Sequence, residues 1–554
     1  MEKQRSPWTE AVLYGLLAGA VMLYFALVGI VKTFNDRAVV EVLSLGHVTL
    51  LLSLALVVYA FLRKHKDEER SVLVMQAALI GAVGAFLLAL LPFLGQWINF
   101  RYMFVQASPE LYNLLRFGQP PMVGLIVLVV LGAVVGALLA LVDFLPGFWR
   151  DAFLRSVTIM LVVGMLSDLF KGMNIHWLFD PFLGSKGLNY LGAALVFLVG
   201  LGYAWFSERR KQMAAEIEAE PVEERVNATV KRWAVAAFFV VLLLALPAIV
   251  GSYLSHVFNQ VGLYIIMGLG LNIVVGYAGL LDLGYVAFFA LGAYTMGVLT
   301  STGPLGIAHW SFWEALPVAI LVALTAGILL GVPVLRMRGD YLAIVTLGFG
   351  EIIRVLAKSD VLKPFIGGAQ GILNIVKPTI AWGGKTLLEF KTPIHFYYLI
   401  LIGIVVAFFV AYRLRESRLG RAWMAMREDE DVAEAMGIDL VAIKLTAFGF
   451  GAAFSGLAGA IFASYVGSIF PESFNLLISI NVLSLIIVGG IGSLPGVVVG
   501  SLALVGLPEL LREFAEYRML MYGLALIAMM LLKPEGFWPE SIRQRELAVE
   551  ESGD

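Results

Sequence analysis

The chain has no cysteine among its 554 residues, and it has only six histidines, which are dispersed. Disulfides and thiolate metal ligands are therefore excluded. The sequence also lacks His-x-x-x-His, Glu-x-x-His and Ser-His-Asp arrangements, which disfavours a zinc hydrolase or a serine hydrolase. We predict no catalytic residue, no metal ligand and no cofactor-binding residue in this chain.

Charged residues are also scarce, at 14% of the chain, whereas hydrophobic residues reach 60% and the mean hydropathy is +0.88. This is too little polar surface for a soluble globule of this size. Apolar runs such as 11–31, 71–92 and 122–145 match the ~20 residues that cross a bilayer as a helix. Because these runs are continuous rather than alternating, they indicate helices and not a barrel. The predicted fold is all-α, a polytopic integral membrane helical bundle.

Two charged segments, 63–70 and 207–232, divide the first part of the chain, and both are rich in lysine and arginine. The positive-inside rule places them in the cytoplasm. We predict an N-terminal membrane extension over 1–206 and a cytoplasmic linker over 207–232. The extension holds six predicted spans, near 11–31, 39–62, 71–95, 121–145, 153–170 and 189–206.

The second membrane domain is predicted over 233–540, followed by a cytoplasmic tail over 541–554. Its predicted spans lie near 233–251, 259–281, 284–301, 315–335, 340–357, 396–412, 443–465, 481–506 and 519–532. Nine full crossings would leave the basic C-terminus outside, against the positive-inside rule. Because several glycines and Pro495 interrupt 481–506, we predict two half-helices there that enter the membrane and return.

The segment 413–440 is densely charged and separates two apolar spans. We predict a short helix in it, capped by Asp429 and closed by Gly437. So short a helix is not stable alone in water, so it should dock on a partner. Its apolar face, which we call the docking stripe, consists of Val432, Ala435 and Met436.

Polar residues inside the apolar segments allow two interpretations each, because a polar group in a membrane is costly. Asp282 either caps the turn before the next helix or faces a substrate path, and the capping role is favoured. Glu351 and Arg354 are three residues apart and are predicted to form a structural ion pair. Asn272, Gln260 and Asn481 are either polar links between helices or ligands.

A phosphate-binding loop ends in Gly-Lys-Thr, and this chain has Gly384-Lys385-Thr386. That motif also needs a glycine where this chain has Thr379. Nucleotide binding by this chain is therefore disfavoured, and any energy from ATP would come from a partner.

The second half closely resembles the LivM/LivH family, the membrane permeases of branched-chain amino acid ABC importers, and its LivM branch in particular. Several motifs in the same order carry the resemblance, over about half of the chain. They are 270–294 (GLNIVVGYAGLLDLGYVAFFALGAY), 338–354 (RGDYLAIVTLGFGEIIR), 367–372 (GGAQGI), 417–421 (SRLGR), 433–437 (AEAMG), 487–492 (IVGGIG) and 533–536 (KPEG). The first six spans do not carry these motifs.

The resemblance implies a permease subunit of the bacterial inner membrane that performs no bond chemistry. Implied partners are a second, LivH-like permease chain, two cytoplasmic ATPases that bind ATP and Mg²⁺, a periplasmic substrate-binding protein and membrane lipid, with no nucleic acid. The implied substrates are leucine, isoleucine and valine, with urea, short amides or other amino acids as alternatives. An ion-coupled secondary transporter and a membrane scaffold without transport are rival classes.

The resemblance and the residue patterns together give three sets of candidate site residues. The ATPase-coupling set is Arg421, Glu428, Asp429, Val432, Glu434, Ala435, Met436 and Gly437. The translocation-path set is Asn272, Asp282, Gly489, Gly490 and Gly492, where the half-helix ends would offer dipoles to a zwitterion. The outer-loop set is Gly367, Gly368 and Gln370.

Overall fold

The computed structural model describes residues 6–36, 38–41, 43–66, 68–184, 187–217, 225–334, 337, 339–382, 385–510, 520, 523–524, 526–527, 531, 533 and 536–539. The chain forms two compact units, Met1–Ala237 and Phe238–Asp554. Each unit is built around apolar helices, with a buried hydrophobic core of its own.

Helices make up most of the described part of the first unit, which also has one short strand pair. Its helices are α1 (Pro7–Val28), α2 (Ile30–Thr33), α3 (Leu45–Lys64), α4 (Arg70–Leu94), α5 (Pro109–Leu115), α6 (Pro121–Asp143), α7 (Gly147–Met165), α8 (Ser167–Lys171) and α9 (Tyr190–Ile217). Strands β1 (Ala38–Val40) and β2 (Leu43–Ser44) pair antiparallel between α2 and α3.

Helix α4 is central to the first unit and packs against both α1 and α6. Gly81 on α4 lies so close to the backbone of Gly132 on α6 that a Cβ at either position would overlap the other's carbonyl. Small residues let helix backbones approach in this way. Two predicted spans of this unit differ from the structure. The span 39–62 begins in the strand pair, before α3, and 153–170 divides between α7 and α8, where α7 carries Arg150, Asp151 and Arg155.

Helix α10 (Arg225–Leu271) begins before the boundary at 237/238 and continues into the second unit, where it is interrupted at Gly251, whose φ is 77°, four residues after Pro247. A π-helix, Asn272–Tyr277, follows α10 directly. The remaining elements are α11 (Val286–Thr300), α12 (Phe312–Val334), α13 (Asp340–Lys358), α14 (Lys363–Ile366), β3 (Thr379–Trp382), β4 (Lys385–Glu389), α15 (Pro393–Glu416), α16 (Arg418–Glu428), α17 (Glu430–Ala435), α18 (Leu440–Val466), α19 (Leu476–Gly489), α20 (Leu494–Ser501), a π-helix Leu502–Gly506 and α21 (Leu507–Leu510). Strands β3 and β4 pair antiparallel.

Helix α18 lies at the centre of the second unit and packs against α11 and α12. Glycines on α18 make this close packing possible: a Cβ at Gly459 would overlap the carbonyl oxygen of Phe289 on α11. Phe288 on α11 and Phe448 and Ile461 on α18 are almost fully buried in the hydrophobic core of this unit. Such close-packed interiors transmit displacement rather than absorbing it.

Ten helices among the described residues are long and apolar enough to cross a membrane. This confirms the predicted all-α, polytopic membrane bundle, to which the two small strand pairs are minor exceptions. The predicted broken helices are also present: α19 and α20 form an antiparallel pair, in which Gly489 faces Gly496 and Leu485 faces Gly500. The chain therefore reverses direction between α19 and α20, as its glycines predicted, and their entry into the membrane stays a prediction.

The predicted linker over 207–232 is helical at both ends, because α9 continues to Ile217 and α10 begins at Arg225. Residues 218–224 lie outside the described residues, as do the predicted tail over 541–554 and most of the predicted span 519–532. The predicted domain limits stay predictions, although the change from one compact unit to the next falls at 237/238.

Candidate functional site

The charged connection between α15 and α18 folds into two helices, α16 and α17. The sequence predicted only the second of them. Ser417 caps α16, accepting a hydrogen bond from the Gly420 amide at 3.3 Å. The buried Trp423 holds α16 against α18, where its Nε1 donates to the Ile443 carbonyl at 2.9 Å. This pair of helices is therefore attached to the bundle through α16.

Helix α17 has the predicted capping at both ends. The Asp429 carboxylate accepts from the amides of Asp431 (2.9 Å) and Val432 (3.0 Å). Gly437 follows the helix with a left-handed φ of 87°. The ammonium of Lys444, on α18, lies 2.9 Å from the Glu430 carboxylate and fixes the first turn of α17 to the bundle.

The docking stripe faces away from the bundle. Val432 is 58% exposed and Met436 is 79% exposed, whereas Ala433 is buried against the protein. Glu434, Ala435 and Arg421 are also exposed. An apolar face that the described residues leave uncovered, beside charged side chains, has the composition expected of a docking surface.

Arg427, at the end of α16, joins this surface to the interior. Its Nη1 donates to the Gly276 carbonyl, in the π-helix after α10, at 2.7 Å. Its guanidinium also binds the Glu428 carboxylate, with Nη2 at 3.1 Å. A Cβ at Gly279 would lie 2.7 Å from Cγ of Arg427, so the chain after the π-helix fits closely under the arginine stem.

The contact continues from the π-helix to the turn between α19 and α20. Asn272 is fully buried, and its Oδ1 accepts a hydrogen bond from the Gly492 amide at 2.9 Å. A Cβ at Gly276 would overlap Asn272 Oδ1 and would lie 2.9 Å from the Gly492 nitrogen. We call Arg427, Gly276, Asn272 and Gly492 the relay, because each contacts the next.

The end of α19 is already hydrogen-bonded to protein. The Val488 and Gly489 carbonyls accept from the amides of Phe537 (2.8 Å) and Trp538 (2.9 Å). Gly490 has a φ of 113°, and a Cβ on it would lie 2.8 Å from the Trp538 carbonyl oxygen. In this conformation the carbonyl groups at the end of α19 are hydrogen-bonded to residues 537 and 538. A role of Gly489, Gly490 and Gly492 in a substrate path stays a prediction.

Asp282 has the turn role that the sequence favoured. It is fully buried, and its Oδ1 accepts from the Gly284 amide at 2.9 Å, two residues on. Thr346 on α13 supports the same turn, accepting from the Leu283 amide at 3.0 Å. The second carboxylate oxygen of Asp282 has no hydrogen bond to another described residue. Its place in a substrate path also stays a prediction.

The outer-loop residues lie at the opposite end of α15 from α16 and α17. Gly367 and Gly371 have positive φ, and the amide of Ile372 donates to the Ile469 carbonyl, after α18, at 2.9 Å. Gly367 and Gly368 are buried in this turn, and Gln370 is exposed. The turn is thus held to the bundle and presents Gln370 at its surface.

An ion-pair network lies at the same end. Arg354 Nε is 3.0 Å from Glu351 Oε2, which confirms the predicted structural pair. Arg354 also lies 3.7 Å from Glu472, and Lys358 pairs with Glu472, so α13 is tied to the turn before α19.

Sequence reasoning did not select Arg427 as a site residue. Its partner, Gly276, is 151 positions away in the sequence, and no local pattern joins the two. The glycines at 276 and 279 were a possible signal, because they follow a buried asparagine and permit close approach of another chain segment.

Comparison with known proteins identifies the family. Residues 253–531 match the family model described as branched-chain amino acid transport system / permease component. The high-affinity branched-chain amino acid transport system permease protein LivM of Escherichia coli (strain K12) is 40% identical over 376 residues, covering 65% of this chain and 86% of LivM. The BraD permease protein of Pseudomonas aeruginosa is 26% identical over 292 residues, covering 49% of this chain and 90% of BraD.

The LivH permease protein of Escherichia coli (strain K12) matches a shorter part, with 32% identity over 126 residues, 22% of this chain and 40% of LivH. No solved structure matches the chain. The family match and the LivM coverage confirm the resemblance seen in the motifs. The chain belongs to the family of branched-chain amino acid transport system permease components.

Proposed function

We propose that this chain is the LivM-like permease subunit of an ATP-binding cassette importer that carries leucine, isoleucine and valine across a bacterial inner membrane. A LivH-like permease chain completes the translocation path. The names of the LivM and LivH relatives support both parts of this proposal. Urea, short amides and other amino acids are the alternative substrates.

Two ATPase subunits bind at α16 and α17, on the cytoplasmic side. The observation that most supports this is the exposed docking stripe on a short helix whose opposite face, at Ala433, is buried against α18. The helix is therefore firmly placed, yet its apolar side is free to receive a partner. The arginine-rich end of α15 lies beside it, as the positive-inside rule requires of a cytoplasmic segment.

ATP-driven closure of the ATPases moves α16 and α17, and the relay carries that movement inward. Arg427 moves with α16 and is hydrogen-bonded to the π-helix, which in turn is bonded through Asn272 to the α19–α20 turn. The π-helix and the α19–α20 turn are in close contact at Gly276, where even a Cβ atom would overlap Asn272 Oδ1. Contiguous packed and hydrogen-bonded groups of this kind can couple distant sites, and the helices then alternate between outward and inward access.

A periplasmic substrate-binding protein docks at the opposite end, on the outer-loop residues. A stand-alone, ion-coupled transporter is less well supported. Of its two candidate carboxylates, Glu351 is paired with Arg354, and Asp282 holds a turn.

Charge reversal at Glu434 tests the docking surface. We expect Glu434→Arg to abolish co-purification of the ATPases. Glu434 is exposed beside the docking stripe, and an arginine there would no longer complement the charge of the partner. The matched control is Asp360→Arg, an exposed acid between α13 and α14, near the outer-loop residues and away from α16 and α17. Capture of ATPases by Glu434→Arg at the wild-type level would contradict the proposed docking site.

A further inference from the structure

A cavity of about 180 Å³ lies in the second unit, away from the relay. One wall is a single face of α10, formed by Gln260, Leu263, Tyr264 and Met267. These positions follow the helical spacing i, i+3, i+4 and i+7, so they share a side of the helix. The other walls come from α11, α18 and α19 and from the turn before α19.

Two polar side chains that line this cavity, Gln260 and Ser473, have no side-chain hydrogen bond within the described part of the chain. The neighbouring Asn259 differs, because its Nδ2 donates to the Pro393 carbonyl at 2.8 Å and so links two helices. A polar side chain in a membrane-spanning helix is costly unless it is bonded or has a function. Gln260 and Ser473 are therefore available for a ligand.

The remaining walls are apolar and rigid. Phe289 and Phe462 line the cavity with their ring centroids 5.2 Å apart, and both pack against Phe474, at 5.7 and 6.4 Å. Three mutually packed rings fix the shape of this wall. Leu263, Met267 and Ile478 complete an aliphatic surface.

Size and charge narrow the ligand class. The volume of about 180 Å³ corresponds to roughly six water molecules at about 30 Å³ each, and lies below the ~300 Å³ at which drug-sized sites begin. None of the described residues that line the cavity is charged. The Gln260 amide and the Ser473 hydroxyl can hydrogen-bond the ammonium and carboxylate groups of one zwitterion, whereas a further charge on the ligand's side chain would meet only apolar walls. A single amino acid with an aliphatic side chain meets both limits.

We propose that this cavity is the first substrate site reached from outside, and that it takes a branched aliphatic amino acid. The side chain packs against Leu263, Met267 and Ile478, and the amino and carboxylate groups bond Gln260 and Ser473. The site lies toward the outer end because Ser473 adjoins Glu472, which is paired with Lys358 at the end of α13. This inference rests on the proposed importer function and adds the location and lining of the substrate site.

The absence of cysteine permits a direct test, because an introduced cysteine is the only thiol of this chain. The importer carrying Ser473→Cys is reconstituted with its partners and treated with a membrane-impermeant thiol reagent, and labelling of this chain is followed over time. Leucine at ten times its half-saturating concentration should slow labelling by about tenfold, and lysine should not. The matched control is Ser359→Cys, at the end of α13 and outside the cavity, where leucine should have no effect.

A second variant tests the apolar wall. We expect Ile478→Trp to fill the cavity and lower leucine uptake at least tenfold, whereas Ile480→Trp, on the same helix but 40% exposed, keeps it. Both variants must retain ATPase co-purification. Unprotected labelling in a Ser473→Cys complex that itself still imports leucine with ATP would overturn the site. Normal uptake by Ile478→Trp would overturn it as well. A wild type that shows no ATP-dependent uptake would instead contradict the importer function.

Discussion

Removal of the Arg427 side chain should separate ATP hydrolysis from transport. Arg427→Ala deletes the 2.7 Å hydrogen bond to the Gly276 carbonyl and leaves the docking stripe unchanged. A hydrogen bond from a charged group contributes about 1.5–3 kcal/mol. Because the Arg427 side chain is 35% exposed, we take the lower end of that range. About 1.5 kcal/mol corresponds to roughly a tenfold fall in leucine imported per ATP hydrolysed.

The assay measures ATP hydrolysis and leucine uptake in the same proteoliposomes, together with co-purification of the ATPases. Arg418→Ala is the matched control, because Arg418 is an exposed arginine of the same helix and has no hydrogen bond from its side chain to another described residue. We expect Arg427→Ala to keep its ATPases and much of its hydrolysis while losing uptake. If Arg427→Ala imports as much leucine per ATP hydrolysed as the wild type, the relay is refuted, whether or not the ATPases still co-purify.

Three further predictions concern neighbouring positions. Met436→Asp should weaken ATPase capture without changing the amount of permease in the membrane, since Met436 is 79% exposed; equal capture would count against the docking stripe. Gly276→Ala should lower uptake and thermal stability together, because its Cβ would overlap Asn272 Oδ1, and a thermal unfolding scan that matches wild type would contradict the tight packing. Gly490→Leu should displace the backbone at Trp538, since Gly490 has a φ of 113° and a Cβ on it would lie 2.8 Å from the Trp538 carbonyl oxygen. We expect limited proteolysis to cleave the chain faster after residue 531 in protein that reaches the membrane. A digest identical to that of the wild type would contradict this prediction.

Local rules were enough to predict helix α17. Asp429 followed by acidic residues and then Gly437 fits the capping preferences of a helix, and those preferences depend only on nearby backbone groups. Most of the membrane spans were accessible too, because length and hydropathy alone decide whether a helix can cross. Predicted spans 153–170 and 340–357 are exceptions, since neither is among the ten helices that meet both conditions. Glycines around 489–496 likewise indicated the return of α19 and α20.

Contacts between distant segments were not accessible in this way. Arg427 was visible only as one of several arginines, and its bond to Gly276 depends on the packed positions of α16 and the π-helix. The roles of the polar residues in the helices were likewise not predictable from the sequence. Asn259 is a link between helices and Gln260 lines a cavity, although they are adjacent in the sequence. Only the direction in which each side chain points separates the two roles.

The N-terminal strand pair and the division of α7 from α8 were also missed. Both occur in segments where apolar runs continue past the end of a helix, so hydropathy alone could not mark the break. The π-helix at Asn272–Tyr277 has no distinct composition either, because it continues α10 with the same apolar pattern.

ATP-dependent leucine uptake by the reconstituted wild-type complex tests the central claim most directly. The chain is reconstituted in proteoliposomes with a LivH-like permease, two ATPases and a substrate-binding protein, with ATP supplied only on the ATPase side. We expect leucine to accumulate against its gradient with ATP and not with a non-hydrolysable analogue. Accumulation that is indifferent to ATP but driven by an imposed proton or sodium gradient would contradict the account and identify a secondary transporter.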